Sequence, residues 1–202
     1  MHRTILISIV LINLLLTLNV ASLFSQDNPP PSRFSHKGVK GAIGMGSFEN
    51  EFGKELTDGE AGSLSLGYGF DDKFTLWLTV LGVEHPENTV NTTNTEFGAI
   101  ELSLQYKFMA QSRIQPYGKF AVGFYGIGEK DADVSYYGGG FSIAAGAEWF
   151  FSRHFGIGAE LMYKNIDYSK ENRRINGKDV VSDIRPNLDG QSKGFLISLI
   201  IQ

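Results

Sequence analysis

From Phe141 to Phe151, and again from Phe155 to Tyr163, every second residue is apolar, and the residues between are mostly glycine, serine, alanine or glutamate. A period of two marks a β-strand whose two faces meet different surroundings. Centring the turn on Arg153 pairs Trp149 with Ile157, Ala147 with Ala159 and Ala145 with Leu161, and cross-strand partners share a face. Glu148 and Glu160 then point the other way, among Gly146, Gly156 and Gly158. One face meets an apolar medium; the other is crowded and accepts carboxylates.

Six more segments repeat the pattern. Val39–Met45 and Ser63–Phe70 come first, and a turn centred on Asp72 leads into Phe74–Leu81. That centring aligns Leu76, Leu78 and Val80 on the apolar face and leaves Trp77 on the other, a misfit there. Phe97–Phe108 carries Ile100, Leu102 and Leu104 against Glu101, Ser103 and Gln105, and a turn centred on Ser112 pairs it with Tyr117–Tyr125. Phe195–Ile201 alternates poorly, and is expected as a strand mainly because a closed ring needs an eighth.

The connections alternate in length. Asp71–Lys73, Met109–Ile114 and Ser152–His154 are tight, whereas Ser47–Gly62, Gly82–Glu96, Ile127–Gly140 and Ser169–Ser192 are longer and polar. Transmembrane barrels have short periplasmic turns and long external loops. The charged residues inside the segments, Lys40, Glu101, Lys107, Lys119, Glu148, Glu160 and Lys164, all fall on the non-apolar face. A charge facing lipid at mid-depth costs about 2–4 kcal/mol. Tyr68, Phe70, Phe74, Tyr106, Phe108, Trp149, Phe151 and Phe155 gather beside the short turns, as an interfacial aromatic girdle requires. A soluble sandwich would spread its aromatics along the strands. The pattern therefore predicts an all-β fold: an eight-stranded antiparallel up-and-down transmembrane β-barrel with both termini on the periplasmic side.

Length and composition add limits. The 202 residues suit one domain, the absence of cysteine excludes disulfides and thiolate metal sites, and a formal charge of -4 gives no reason to expect a nucleic-acid partner. Met1-His2-Arg3, an apolar run from Ile5 to Leu18 and a weakly polar stretch to Gln26 follow the order of a secretory signal peptide. The expected organisation is a cleavable signal peptide over 1–25, an extended periplasmic leader over 26–36 containing Pro29-Pro30-Pro31, and the barrel over 37–202.

With this pattern the chain resembles the small eight-stranded outer-membrane barrels: the OmpA-like transmembrane domain, OmpX-like proteins and the outer membrane protein β-barrel domain group. The residues carrying the resemblance are Ala145-Gly146-Ala147-Glu148-Trp149, Gly156-Ile157-Gly158-Ala159-Glu160 and Pro116-Tyr117-Gly118. Ser192 to Leu199 is similar to the terminal signal read by the barrel assembly machinery, although this chain ends in Gln202 where that signal has an aromatic. The resemblance implies the outer membrane of a Gram-negative bacterium, and outer-membrane lipid, lipopolysaccharide and the assembly machinery as partners.

An eight-stranded ring is just wide enough for side chains to fill it. Lys40, Lys107, Lys119 and Lys164 against Glu101, Glu148 and Glu160 make a nearly neutral interior set, expected to plug the barrel as an ion-pair network. A narrow porin-like channel is the alternative reading. A lipid-modifying enzyme is a third, but His36, His85 and His154 stand near no serine and carboxylate at a triad's spacing. No cofactor or metal is expected: Asp131-Ala132-Asp133 lacks the glycine and final glutamate of a calcium loop. Arg173 and Arg174, in the last external segment, are candidate contacts for lipopolysaccharide phosphates or another external ligand.

Overall fold

The computed structural model describes residues 37–52, 54–55, 58–85, 95–129, 133–175 and 177–202. The expected signal peptide and leader, the tip of the second external segment and Asp131-Ala132 lie outside them. The strands are β1 (Gly38–Phe52), β2 (Lys54–Glu55), β3 (Gly59–Gly69), β4 (Phe74–His85), β5 (Thr95–Lys107), β6 (Ile114–Glu129), β7 (Val134–Phe150), β8 (Phe155–Ile175) and β9 (Lys178–Ile201). β2 is a two-residue stub folded back on β1. Among the described residues the other eight are antiparallel to their neighbours in chain order, and β9 pairs with β1 to close the ring.

Pairings followed once around the ring from Val39 run through Tyr68, Leu76, Leu104, Phe120, Ile143, Tyr163 and Lys193 and return at Glu49, ten residues further along β1. That stagger over eight strands tilts them by about 40° from the barrel axis. The three inner hairpins take the registers their turn centres predict: Gly69 opposite Thr75, Lys107 opposite Tyr117 and Phe150 opposite Gly156.

Faces follow from parity. Leu66, Leu78, Ile100, Phe120, Ile143 and Ile197 stand exposed on the outer wall, a continuous apolar band that water would penalise and lipid accepts. Below it the girdle aromatics touch in pairs, Phe74 with Tyr106 at 5.0 Å between ring centres and Trp149 with Phe151 at 6.1 Å. Trp77 is buried inside, and its place is made by Gly67 opposite it, where an added Cβ would lie 2.5 Å from the indole.

Two expectations fail at the outer end. The strands run further than the alternation indicates, β1 to Phe52, β4 to His85 and β6 to Glu129. The faces exchange character there: Phe48, Val83, Phe97 and Ile127 point inward, while Glu49, Glu84 and Glu96 point out. Above the lipid the wall meets water, so outward positions turn polar, and a rule tuned to an apolar outer face reads them as loop. The second correction concerns 169–192, which is not a loop but the paired ends of β8 and β9. Lys170 faces Asp183, Arg174 faces Asp179 and Ile175 faces Lys178, and the register shifts between Tyr168 and Lys170, where Ser169 on β8 and residues 184–187 on β9 fall outside the pairing. Gly177, just before Lys178, takes a left-handed conformation with φ at 75°.

Candidate functional site

Inward side chains stack in layers, and the lowest lies at the mouth beside the three short turns. Gln115 Nε2 donates to the carbonyls of Ala110 and Ser112, both at 2.9 Å, tying the second inner turn across the opening. Lys107 Nζ donates to Gln115 Oε1 at 3.0 Å and to Glu148 Oε2 at 2.5 Å. The other oxygen of Glu148 accepts from Gln105 Nε2 at 2.8 Å, and Gln105 Oε1 accepts from Trp77 Nε1 at 2.5 Å. Phe150 underlies the Lys107 ammonium at 5.4 Å. Lys40 donates to Thr75 Oγ1 at 3.2 Å. Each carboxylate oxygen of Glu148 thus has a donor, the condition under which a buried charge is tolerated.

At mid-depth Lys119 Nζ meets Glu160 Oε2 at 2.5 Å, and the Tyr117 hydroxyl donates to the same oxygen at 2.9 Å. A cavity of about 50 Å³ adjoins them, lined in part by Ser63, Ser65, Thr79 and Ser103. Above it Lys164 Nζ reaches Glu101 Oε1 at 2.6 Å, and the Tyr125 hydroxyl donates to that oxygen at 2.7 Å. The seven charged positions expected inside therefore contribute three Lys–Glu pairs and Lys40.

The next layer up carries no signal in the alternation. Phe48, Val83, Phe97, Tyr125, Ile127, Ile166, Tyr168 and Leu196 form an apolar cluster inside the ring, and Phe52 packs on Tyr136 with the rings tilted at 44° and their centres 4.7 Å apart. These side chains sit where the faces exchange character, and an inverted period-two pattern is the signal that could have found them. Beyond the cluster, Asn50 Nδ2 lies 2.6 Å from His85 Nε2, and Gly59 leaves the room that the imidazole occupies. His85 is therefore buried inside the ring. His154 sits in the third inner turn, 2.9 Å from the Gln202 carbonyl.

Arg173 and Arg174 are both exposed on the outer hairpin. Arg173 Nη2 meets Glu171 Oε1 at 2.6 Å, and Arg174 Nε meets Asp179 Oδ1 at 3.1 Å. The structure thus places them on one strand with carboxylate partners of their own. Among the described residues no cluster of three or more His, Asp or Glu side chains is placed to hold a metal ion.

A closed antiparallel ring, apolar outside and with its charged side chains paired inside, defines an outer-membrane type of β-barrel. The chain belongs to the outer membrane protein beta-barrel domain family, whose model matches residues 15–188. Its fold is similar to that of Neisserial surface protein A, with a TM-score of 0.62 at 14% identity, over 82% of this chain and 97% of that one. It is also similar to the outer membrane protein OprG from Pseudomonas aeruginosa, with a TM-score of 0.52 at 17% identity, over 83% and 99% of the two chains. No curated protein sequence matches.

Proposed function

We propose that this protein is a non-enzymatic outer-membrane barrel with a structural or surface-interaction role, its interior plugged by its own side chains. The observation carrying this reading is the apolar cluster around Phe48, Tyr125, Ile166 and Tyr168, which crosses the ring above the Lys164–Glu101 pair. An ion passing from one mouth to the other would meet that cluster dehydrated, and then the ion pairs below it. Partial relocation of a single charge into such surroundings costs several kcal/mol. The outer hairpin of β8 and β9, with Arg173 and Arg174 exposed on it, offers a surface for contact outside the membrane. Export by a signal peptide over 1–25, a leader over 26–36, insertion by the barrel assembly machinery and contact with lipopolysaccharide belong to the same reading.

Single-channel recording from the refolded chain in planar bilayers tests it. A plugged barrel gives traces indistinguishable from protein-free bilayers. Reproducible conductance steps would overturn the proposal in favour of a narrow channel. Lipid A acyl chains altered on expression of the protein would overturn its non-enzymatic part.

A further inference from the structure

Near the outer edge of the apolar band, one register line across the wall reads Gly62, Gly82, Gly98 and Gly126 on four successive strands. All four lie on the outward face, and Met45 and Tyr137 flank the line. Glycine weakens a strand interior, and it is kept there for a bulge, a bend or the close approach of something else. The chain's own packing does not require Gly62, Gly82 or Gly98: a Cβ added at Gly62 or Gly82 would meet nothing within 4 Å, and one at Gly98 only the Leu81 carbonyl at 4.0 Å. Gly126 leaves room for the Tyr137 ring, which a Cβ there would approach to 3.1 Å.

The missing side chains leave a trough whose floor is bare backbone, about 14 Å long at the usual strand spacing. Its lower wall is Val80, Ile100 and Phe124, and the register puts Glu60, Glu84 and Glu96 along its upper wall. Over Gly98 and Gly126 it deepens into a cavity of about 610 Å³, with Tyr137 and the cationic Lys170 at one end. We propose that this trough seats one acyl chain of an outer-leaflet lipid, with the anionic headgroup at Lys170. The inference rests on the membrane reading of the outer wall.

Two features select this occupant. The lower wall continues the lipid-facing band, so acyl chains are the medium already in contact with it. A second copy related by a two-fold axis through the trough would bring one glutamate wall against another, and opposed like charges are destabilising. The same wall turns an anionic headgroup away from the trough's length and towards Lys170.

The test uses the refolded chain in phosphatidylethanolamine vesicles containing a phosphatidylglycerol with a photoactivatable diazirine in one acyl chain. Cross-linked peptides are mapped by mass spectrometry. The proposal predicts labelling of β4 to β6 around Gly82, Gly98 and Gly126 several-fold above that at Leu161 and Ile197, which also face lipid. Gly82→Leu/Gly98→Leu, for which the wall has room, should bring that labelling down to the level at those positions. Lys170→Glu should lower it with the phosphatidylglycerol probe and leave it unchanged with a phosphatidylcholine analogue. Heat-modifiable gel migration shows whether each variant is folded, and the single variant Gly82→Leu serves if the double does not fold. Uniform labelling of a folded barrel overturns the trough proposal alone, as does cross-linking between two protein chains there. A wild type without heat-modifiable migration overturns the membrane reading itself.

Discussion

Glu148→Gln removes one charge from the lowest interior layer and changes almost no volume. Gln105 can still donate to the new amide oxygen, but the Lys107 ammonium keeps only the neutral Gln115 oxygen at 3.0 Å and the face of Phe150. Both partners of the pair are nearly fully buried, at 1% and 4% side-chain exposure, so solvent cannot screen what is left. Removing one member of a buried pair costs about 3–5 kcal/mol, against about 0–1 kcal/mol for an exposed pair. Urea unfolding from lipid vesicles, followed by tryptophan fluorescence, reads the difference directly, because Trp77 is bonded to Gln105 within the same network. Adding Lys107→Met to Glu148→Gln should restore part of the loss, since Lys107 then no longer lacks a carboxylate, while the buried Lys40 in the same layer stays charged. A loss of less than about 1 kcal/mol for Glu148→Gln, the range of an exposed pair, would refute the claim that this layer is dry and mutually dependent. So would a double variant no more stable than the single.

Gly146→Ala should destabilise by about 1–3 kcal/mol, the usual cost of overpacking, because its Cβ would lie 2.4 Å from the Ala159 carbonyl and 2.6 Å from the Tyr117 hydroxyl. Gly62→Ala, with open space, should be neutral or slightly stabilising in the same unfolding assay. Gly177→Val should cost about 1–2 kcal/mol at a left-handed position, and should speed amide exchange along Lys170–Asp183 without changing heat-modifiable migration. Asp71 Oδ1 accepts from the backbone N–H groups of Phe74 and Lys73, both at 2.7 Å, and these bonds lower its pKa. A lowered carboxyl pKa contributes stability at neutral pH that fades as the pH falls through the folded value. Asp71→Ala should therefore loosen the first inner turn at neutral pH and make no difference in strong acid, as read by amide exchange at Phe74.

The legible part of this fold was the part immersed in lipid. There one face must be apolar, so the alternation around Leu78, Leu102 and Val122 gave parity, and the short turns at Asp72, Ser112 and Arg153 gave register. Parity in turn put Lys107, Glu148 and the other charged positions inside, although which lysine meets which glutamate depends on the ten-residue stagger around the ring. The outer third was illegible to the same rule because its physics is reversed. Water outside favours Glu84 and Glu96, and the closed interior favours Phe48, Val83 and Phe97. The outer hairpin was missed for a related reason. The exposed ends of β8 and β9 have no buried face to impose alternation, and the sequence signal there was the Asn-Gly dipeptide at 176–177.

The filled interior is the central claim, and Trp77 reports on it. The chain has two tryptophans, so Trp149→Phe leaves Trp77 alone, 5% exposed inside the ring. Iodide quenching of this variant in lipid vesicles measures whether an aqueous anion reaches the interior. A filled interior gives blue-shifted emission and almost no quenching until the barrel unfolds; quenching near that of free tryptophan in the folded barrel would contradict it.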